Sequence, residues 1–469
     1  MAPGRFAWIA VLGAVLLASR VAGAVSLEPH PAVKGIEMAS VDVRAHGGAW
    51  RSTSWDDLST TRLDAGEYEL KLQVDGGQRG VSVEIPHCAG RGRVELDGQS
   101  LVATPGPVVL GVDGGVHHLV VVVDVSKYER RIACGERPRV GSRTTSPERL
   151  GVMAFGSPYE ARGGGKAVVY VPPGHDATKA SALLVGLHPW NGTMWTYAAY
   201  AELLRQARAL DIVLLMPSGL GNALYTADAE DEAMRAIDAL AEVLAIDPRA
   251  VSLWGASMGG AGATTVGFHH PDRFASVTSF FGDSKYDVST YVRSLLPDEA
   301  AAHAVNALDV VDNAMHLPVW LIHGEADATS PIRQSEMLAD AMRSRGLSVR
   351  FDRVPRMGHQ GALVARFLEQ VVSRAASLRV PAPVTTVAYR SVRPWDTGAY
   401  GVHLVRRSER GDAFVAAEAR PDSVHITRAE GIRAIVVDPG ALGTAVDAPP
   451  AIVVDAPGGV TARWAVRTR

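Results

Sequence analysis

The sequence predicts an α/β fold, a mostly parallel sheet with helices on both faces, flanked by an N-terminal and a C-terminal β-sandwich-like domain. In the middle of the chain, apolar strand patterns alternate with helical patterns. Both ends instead show strand patterns separated by Gly- and Asp-rich turns. The length of 469 residues suits two or three domains. The expected boundaries are a signal peptide at 1–24, a β-sandwich (jelly-roll-like) domain at 25–149, a linker at 150–165, an α/β domain at 166–377 and a C-terminal β domain at 378–469.

The N-terminus has the pattern of an export signal. Arg5 supplies the positive start, 6–18 is a short apolar run, and Ala22-Gly23-Ala24 is a small-residue cleavage site. We therefore expect a secreted or periplasmic protein whose mature chain starts at Val25 and has no membrane span. An uncleaved anchor stays open as the alternative.

Cys88 and Cys134 are the only two cysteines of the chain. An even number of cysteines in an oxidising compartment predicts a disulfide between them. Two buried free thiols are the alternative.

The region 25–149 has the alternation of half-buried strands. Tyr68–Val74 and Val81–Ile85 alternate apolar and polar residues, and Asp-Gly turns such as Asp97-Gly98 separate the strand patterns. The stretch RVELDGQSL resembles galactose-binding-like jelly rolls. In the C-terminal region, turns at 438–440 and 455–459 predict two hairpin-like units.

A serine on a sharp strand-to-helix turn is the most informative feature of the central region. Ser257 lies in Gly255-Ala256-Ser257-Met258-Gly259, between the apolar run 251–254 and a small-residue helix start. The flanking glycines leave room for the crossing strand and helix, so that the turn presents the serine hydroxyl outward. Asp327 follows a buried strand in PVWLIHGEAD, and His359 lies in MGHQG.

With LWGASMGGAG, these motifs place serine, aspartate and histidine in the chain order of an α/β-hydrolase. The segment from about Lys166 to Ala376 resembles that fold, and is most similar to the secreted-esterase (polyhydroxybutyrate-depolymerase-like) and prolyl-oligopeptidase-like branches. The resemblance implies a catalytic triad. Ser257 would be the nucleophile, His359 the base that takes and returns its proton, and Asp327 the group that orients the imidazole.

A tetrahedral intermediate also needs backbone N–H groups for its oxyanion. One is expected from Met258, directly after the nucleophile. The second should come from the loop after Ala182–Leu187, where related hydrolases have His-Gly-X and this chain has Pro189 in place of the glycine. Proline has no N–H, so Trp190, the X position, is the expected donor.

Other residues compete for these roles. Asp283 is an alternative acid, and an insertion between Asp283 and Leu317 is either a cap over the pocket or a surface excursion. The aromatic residues after the third strand, Trp190, Trp195 and Tyr197, either form an apolar wall of the pocket or pack in the core. The histidines that compete with His359 are His188, His323 and the pair His269-His270.

Composition limits the partners. The net charge of −3 gives no electrostatic reason to expect nucleic acid or an anionic membrane. No metal-ligand spacing or phosphate-binding motif is present, so we expect no cofactor and no metal. The predicted function is a secreted serine hydrolase that cleaves small or polymeric carboxylic esters. A prolyl-oligopeptidase-like serine peptidase and an inactive binding module are the alternatives.

Overall fold

The structure is a computed structural model that describes residues 26–27, 32–75, 81–85, 88, 91–102, 108–112, 116–125, 127, 130–132, 139–144, 149–172, 175–176, 178–198, 200–286, 296–438, 440–456 and 459–465. The predicted signal peptide and Cys134 lie outside these residues, so the cleavage site and the disulfide stay predictions. Cys88 is fully buried in the N-terminal core.

The N-terminal part forms two antiparallel sheets. One has the strand order β4-β3-β5-β10-β7-β8, and the other β2-β11-β6-β9. Asp97 and Gly98 form the two-residue turn from β7 to β8, and both have the positive φ that a primed turn requires. The elements of this part are β1 Ser26–Leu27, β2 Ala32–Glu37, β3 Ser40–Ala45, β4 Arg51–Ser54, α1 Trp55–Thr60, β5 Gly66–Asp75, β6 Val81–Ile85, β7 Arg91–Leu96, β8 Gln99–Val102, β9 Val108–Val112, β10 Val116–Val125 and β11 Arg139–Thr144.

A nine-stranded sheet with the order β1-β12-β13-β15-β14-β16-β17-β18-β19 forms the centre of the molecule. Strand β13 is antiparallel to its neighbours, and the strands from β15 to β19 run parallel. The predicted α/β class with a mostly parallel sheet is therefore confirmed. The central elements are β12 Arg149–Ala154, β13 Lys166–Val171, β14 Ser181–Leu187, α2 Ala201–Ala209, β15 Val213–Pro217, α3 Asp228–Val243, β16 Ile246–Ala256, α4 Met258–His269, β17 Ser276–Phe280, α5 Glu299–His303, β18 Val319–Gly324, α6 Arg333–Arg343, β19 Val349–Val354 and α7 Gly361–Ser377.

The predicted linker at 150–165 differs from the structure. Strand β12 pairs with β13 from Arg149↔Val171 to Ala154↔Lys166, so the sheet begins before the predicted boundary. The stretch is rich in glycine, but buried and more exposed residues alternate from 151 to 156, and the Met153 side chain is fully buried. That alternation is a strand pattern.

Helices cover both faces of the sheet. Along β14, Leu183 and Val185 belong to one apolar core, and Ala182 and Leu184 belong to the other. A strand buried on both faces has an uninterrupted apolar sequence, which is the pattern seen in 182–187. No described helix is long and apolar enough to cross a membrane.

The C-terminal part forms two four-stranded sheets, β20-β23-β24-β26 and β21-β22-β25-β27. Strand β26 is parallel to β24, and β27 is parallel to β25. The two predicted hairpin-like units are therefore wrong, because each turn leads the chain across to the other sheet. The strands are β20 Thr386–Ser391, β21 Gly398–Ala399, β22 Val402–Arg406, β23 Ala413–Ala419, β24 Ser423–Glu430, β25 Ile432–Val437, β26 Ala451–Val454 and β27 Thr461–Trp464.

A buried ionic network joins the C-terminal part to the central domain. The Arg393 guanidinium donates to both carboxylate oxygens of Glu230 in α3, at 2.7 and 2.9 Å, and to Asp396 at 2.8 Å. Asp396 also contacts Nδ1 of His269 in α4 at 2.8 Å. Each of the four residues is at most 5% exposed.

The insertion between β17 and β18 also contacts the C-terminal part. Its described residues form α5 and a 3-10 helix at Ala307–His316. His303 bridges two carboxylates, with Nδ1 3.0 Å from Asp309 and Nε2 2.8 Å from Asp412 of the C-terminal part.

Candidate active site

Ser257 lies at the turn between β16 and α4. Its φ of 56° and ψ of −120° are unfavourable for an L-residue, and its N–H donates to the Phe280 carbonyl at 2.9 Å. This strain is the backbone conformation of a nucleophile elbow, which lifts the hydroxyl above the edge of the sheet.

The glycines on either side of this turn are required by close backbone contacts. A Cβ at Gly259 would overlap the Leu187 carbonyl at the end of β14, and a Cβ at Gly255 would overlap Gly259. The glycines therefore allow the elbow to lie against the loop that follows β14.

The structure brings Ser257, His359 and Asp327 into one hydrogen-bonded chain. Nε2 of His359 lies 2.8 Å from the Ser257 hydroxyl oxygen, and Nδ1 lies 2.8 Å from Oδ2 of Asp327. Because a carboxylate can only accept, Nδ1 carries the proton and Nε2 is free to accept one from serine. The ring of Phe281, centred 4.4 Å from that of His359, packs against the imidazole.

Asp327 is held in its ionised form. Burial alone would raise the pKa of this carboxyl, but hydrogen bonds from His323 and His359 and the charge of His359 outweigh it, and the pKa lies well below its usual value. Oδ1 also accepts the backbone N–H groups of Thr329 and Ser330, each at 2.9 Å. These bonds fix the carboxylate that faces the histidine.

Asp283, the alternative acid, lies nearby but makes a different contact. Its Oδ1 accepts the Ser330 hydroxyl at 2.8 Å, and burial raises its pKa. No hydrogen bond joins it to His359, although both residues are described.

The alternative histidines make their shortest hydrogen bonds to groups other than Ser257. His323 is buried between the Ser335 hydroxyl and the Ser330 carbonyl, with Nε2 3.5 Å from Oδ2 of Asp327, and His188 contacts the Ser218 carbonyl. His269 and His270 belong to the ionic network at the C-terminal part.

The loop after β14 forms a tight turn beside the elbow. The Gly192 N–H donates to the Pro189 carbonyl at 2.8 Å, and Asn191 has a φ of 59°. Trp190 is thus a corner residue of this turn. The Asn191 N–H donates to Oδ1 of Asn222 at 2.7 Å, so a side chain from outside the loop anchors it.

Two of the three aromatic residues suggested as a pocket wall are core residues. Trp195 is 4% exposed and Tyr197 is 2% exposed, whereas Trp190 is only partly buried. Tyr225 and Asn222 also contact the loop at 188–192 and were not predicted from the sequence. The Gly-rich, Asn-containing stretch 218–222 indicates a turn with positive φ, but it does not indicate which backbone groups these side chains bind.

A second Ser–His–Asp chain occurs on the C-terminal strand β24. The Ser423 hydroxyl lies 3.0 Å from Nε2 of His425, whose Nδ1 lies 2.7 Å from Asp455. Arg420 also approaches this Nε2, at 3.2 Å, and Ser423 lies within a strand instead of on a strand-to-helix turn. Ser423, His425 and Asp455 therefore have the contacts of a Ser-His-Asp triad, but Ser423 does not lie on a nucleophile elbow.

Among the described residues, no group of three or more His, Cys, Asp or Glu side chains could hold a metal ion. The site consists of a nucleophile elbow, an imidazole and a carboxylate.

Residues 221–376, about a third of the chain, match the model of the prolyl oligopeptidase family. Together with the nine-stranded sheet and its helices, this match defines the class: the chain is a serine hydrolase whose central domain has the α/β-hydrolase fold. The matched range contains Ser257, Asp327 and His359, but Trp190 lies before it.

Solved structures similar to the chain include esterases and peptidases. An S-formylglutathione hydrolase from Agrobacterium tumefaciens is 19% identical, with 51% of this chain and 98% of that chain covered and a TM-score of 0.44. A ferulic acid esterase is 17% identical, with 45% and 91% covered and a TM-score of 0.39. A putative dipeptidyl aminopeptidase IV from Bacteroides ovatus is 11% identical, with 55% and 40% covered and a TM-score of 0.42. Comparison with curated protein sequences finds no significant match.

Proposed function

We propose that the chain is an exported serine hydrolase that cleaves carboxylic esters through an acyl-enzyme, with Ser257, His359 and Asp327 as its catalytic triad. The observation that carries the proposal is the pair of 2.8 Å hydrogen bonds that link these side chains at a strained strand-to-helix turn. The triad geometry is that of the Ser-His-Asp template.

In the proposed reaction, Ser257 Oγ attacks the ester carbonyl carbon while Nε2 of His359 takes the hydroxyl proton. Asp327 stabilises the imidazolium that forms. The tetrahedral intermediate collapses, Nε2 gives its proton to the leaving alkoxide, and the acyl group stays on Ser257. Water then attacks the acyl-enzyme with the same histidine as base. The carboxylic acid leaves and the serine is restored.

The oxyanion is proposed to bind the N–H groups of Met258 and Trp190. Met258 opens α4, so its N–H belongs to the first turn of a helix, where backbone donors have no intrahelical acceptor. Trp190 lies in the loop that the elbow glycines allow to approach Ser257. Pro189 cannot donate, but its carbonyl closes the turn that carries Trp190.

The preference for esters is supported by the N-terminal part. Its described residues form two antiparallel sheets, whereas a propeller that encloses a peptide needs at least four blades of four strands each. Ester leaving groups also require less protonation than amide leaving groups, so an ester demands less of the general acid. A serine peptidase is the second candidate, and the family match over 221–376 favours it.

The two candidates differ in kcat/KM. We expect p-nitrophenyl esters of short acyl chains to be cleaved faster than prolyl, alanyl and arginyl p-nitroanilides. Both activities should disappear in Ser257→Ala, which assigns them to this site. A peptide anilide cleaved faster than every ester would establish the peptidase instead. A lack of activity towards both substrate classes would favour the alternative that the chain is an inactive binding module.

The proposed export and disulfide can be tested by intact mass. Protein recovered outside the cytoplasm should start at Val25 and carry a Cys88–Cys134 bridge, with two thiols alkylated only after reduction. A mass that includes 1–24 argues against cleavage, and alkylation without reductant argues against the bridge.

A further inference from the structure

We propose that the buried hydroxyls of Tyr197 and Tyr225 are positioning groups that fix the loop 188–192 against the nucleophile elbow. This inference rests on the proposed function, because it concerns the loop that would present the Trp190 N–H to the oxyanion.

Tyr197 connects the ends of two neighbouring strands. Its hydroxyl donates to the Leu187 carbonyl and accepts the Ala256 N–H, both at 2.9 Å. Leu187 is the last residue of β14, and Ala256 directly precedes Ser257. The ring packs on Trp254 with a centroid distance of 4.2 Å, which holds the hydroxyl in place. The hydroxyl therefore adds a link between the loop and the elbow at the point where the pairing of β14 with β16 ends, at Leu187↔Gly255.

Tyr225 holds the loop from the other side. Its hydroxyl accepts the His188 N–H at 2.9 Å, and its side chain is completely buried. A Cβ at Gly262 of α4 would lie 2.7 Å from the Tyr225 Cβ, and a Cβ at Gly219 would lie 2.6 Å from the hydroxyl. The ring therefore fills the space between α4 and the backbone at Gly219, and its hydroxyl contacts the loop 188–192 through the His188 N–H.

The segment 218–227, which carries Tyr225, has an unfavourable backbone. A positive φ disfavours L-residues, and strain of this kind persists only where surrounding contacts impose it. Asn222 supplies two such contacts, since Oδ1 accepts the Asn191 N–H at 2.7 Å and Nδ2 donates to Asn191 Oδ1 at 2.8 Å. The non-glycine residues of this segment with positive φ are Leu220, Leu224, Tyr225 and Ala227.

The consequence is specific to the transition state. An oxyanion donor acts only when its N–H lies about 3 Å from the developing charge, and the ground-state carbonyl depends on it less. A loop that loses its fixed position should therefore lower kcat more than it raises KM. It should also weaken inhibitors that form a tetrahedral adduct on the serine.

The test uses Tyr197→Phe and Tyr225→Phe, each of which removes a single oxygen atom. Tyr389→Phe is the matched control, because this buried hydroxyl of β20 donates to the His269 carbonyl at 3.0 Å, at the end of α4 that lies away from Ser257. For p-nitrophenyl acetate we expect kcat to fall about 10-fold to 100-fold, with KM within about 3-fold. The Ki of phenylboronic acid should rise in proportion, and Tyr389→Phe should match the wild type.

Unchanged kcat and Ki in both phenylalanine variants, with Ser257→Ala inactive, would overturn this inference and leave the proposed function intact. Activity retained in Ser257→Ala would instead overturn the proposed function. Asn222→Ala covers the case in which a buried tyrosine variant fails to fold, because Asn222 is exposed. It should show the same signature of lower kcat and higher Ki, and an unchanged Ki there would also count against the proposal.

Discussion

Replacing Arg393 by methionine should strongly destabilise the contact between the central domain and the C-terminal part. The substitution removes a buried cation and leaves the Glu230 and Asp396 carboxylates without it. Glu230 loses two hydrogen bonds, at 2.7 and 2.9 Å, and Asp396 loses its bonds to the guanidinium. Removing one partner of a buried ion pair costs about 3–5 kcal/mol, which corresponds to a Tm lower by about 10 °C.

The size of this loss should depend on pH. Burial alone would raise the pKa of Glu230 and of Asp396, but their hydrogen bonds and the arginine charge hold both pKa values below the usual range. In the wild type, their contribution to stability is therefore present above the unfolded pKa of about 4 and is lost only as the pH falls well below it. Without Arg393, burial raises both pKa values, so both carboxylates become protonated as the pH falls. The variant then regains part of the stability that the buried negative charges had removed. The difference in Tm should be larger at pH 8 than at pH 5.

Thermal unfolding followed by circular dichroism at these two pH values measures the effect. Arg162→Met is the matched control, because Arg162 pairs with Asp228 at the surface, where both side chains are more than half exposed. An exposed pair contributes about 0–1 kcal/mol. Equal Tm values for the two variants would refute the buried network, and a difference that does not change with pH would refute the role of the carboxylates.

Two further outcomes follow from the carboxylates and histidines. Asp327→Asn should lower kcat for p-nitrophenyl acetate about 10³-fold to 10⁴-fold, whereas Asp283→Asn should stay within about 10-fold, because of these two carboxylates Asp327 is the one that contacts His359. Equal losses in the two variants would contradict this assignment. Burial lowers the pKa of His303, but hydrogen bonds to Asp412 and Asp309 outweigh it and raise that pKa. The contribution of the His303 bridge to stability is therefore complete below the histidine pKa of about 6.5 in the unfolded chain. It is lost as the pH rises through the pKa of His303 in the folded protein. The Tm of the wild type minus that of His303→Gln should decrease from pH 5.5 to pH 8.5, and a constant difference would contradict the bridge.

The centre of the nine-stranded sheet could be predicted because strands such as β14, β15 and β18 have almost uninterrupted apolar sequences between helical patterns. Strand β12 was missed because glycine and arginine obscure a strand that pairs on one side with β13 and on the other with the short β1. The C-terminal crossovers were missed because a Pro-Gly turn has the same sequence whether the next strand pairs with the preceding strand or joins the other sheet. Pairing over such distances depends on packing that no local pattern contains.

The elbow was predictable since its geometry demands particular residues at fixed spacing. Tyr225 and Asn222 were not, because a tyrosine or an asparagine in a loop has no sequence signature for the backbone group it will bind. Their role depends on how the segment 218–227 folds back onto the loop 188–192, which is a tertiary contact. The same limit applies to Ser423, whose contacts with His425 and Asp455 resemble a triad only in three dimensions.

Covalent labelling with a fluorophosphonate, followed by peptide mapping, tests the central claim most directly. The probe should modify a single residue, Ser257, and Ser257→Ala should lose both labelling and ester hydrolysis while its Tm stays near that of the wild type. Ser423→Ala is the matched control and should label like the wild type, because Ser423 has the histidine and aspartate contacts but no elbow. Labelling at any other serine, or undiminished hydrolysis by Ser257→Ala, would contradict the account.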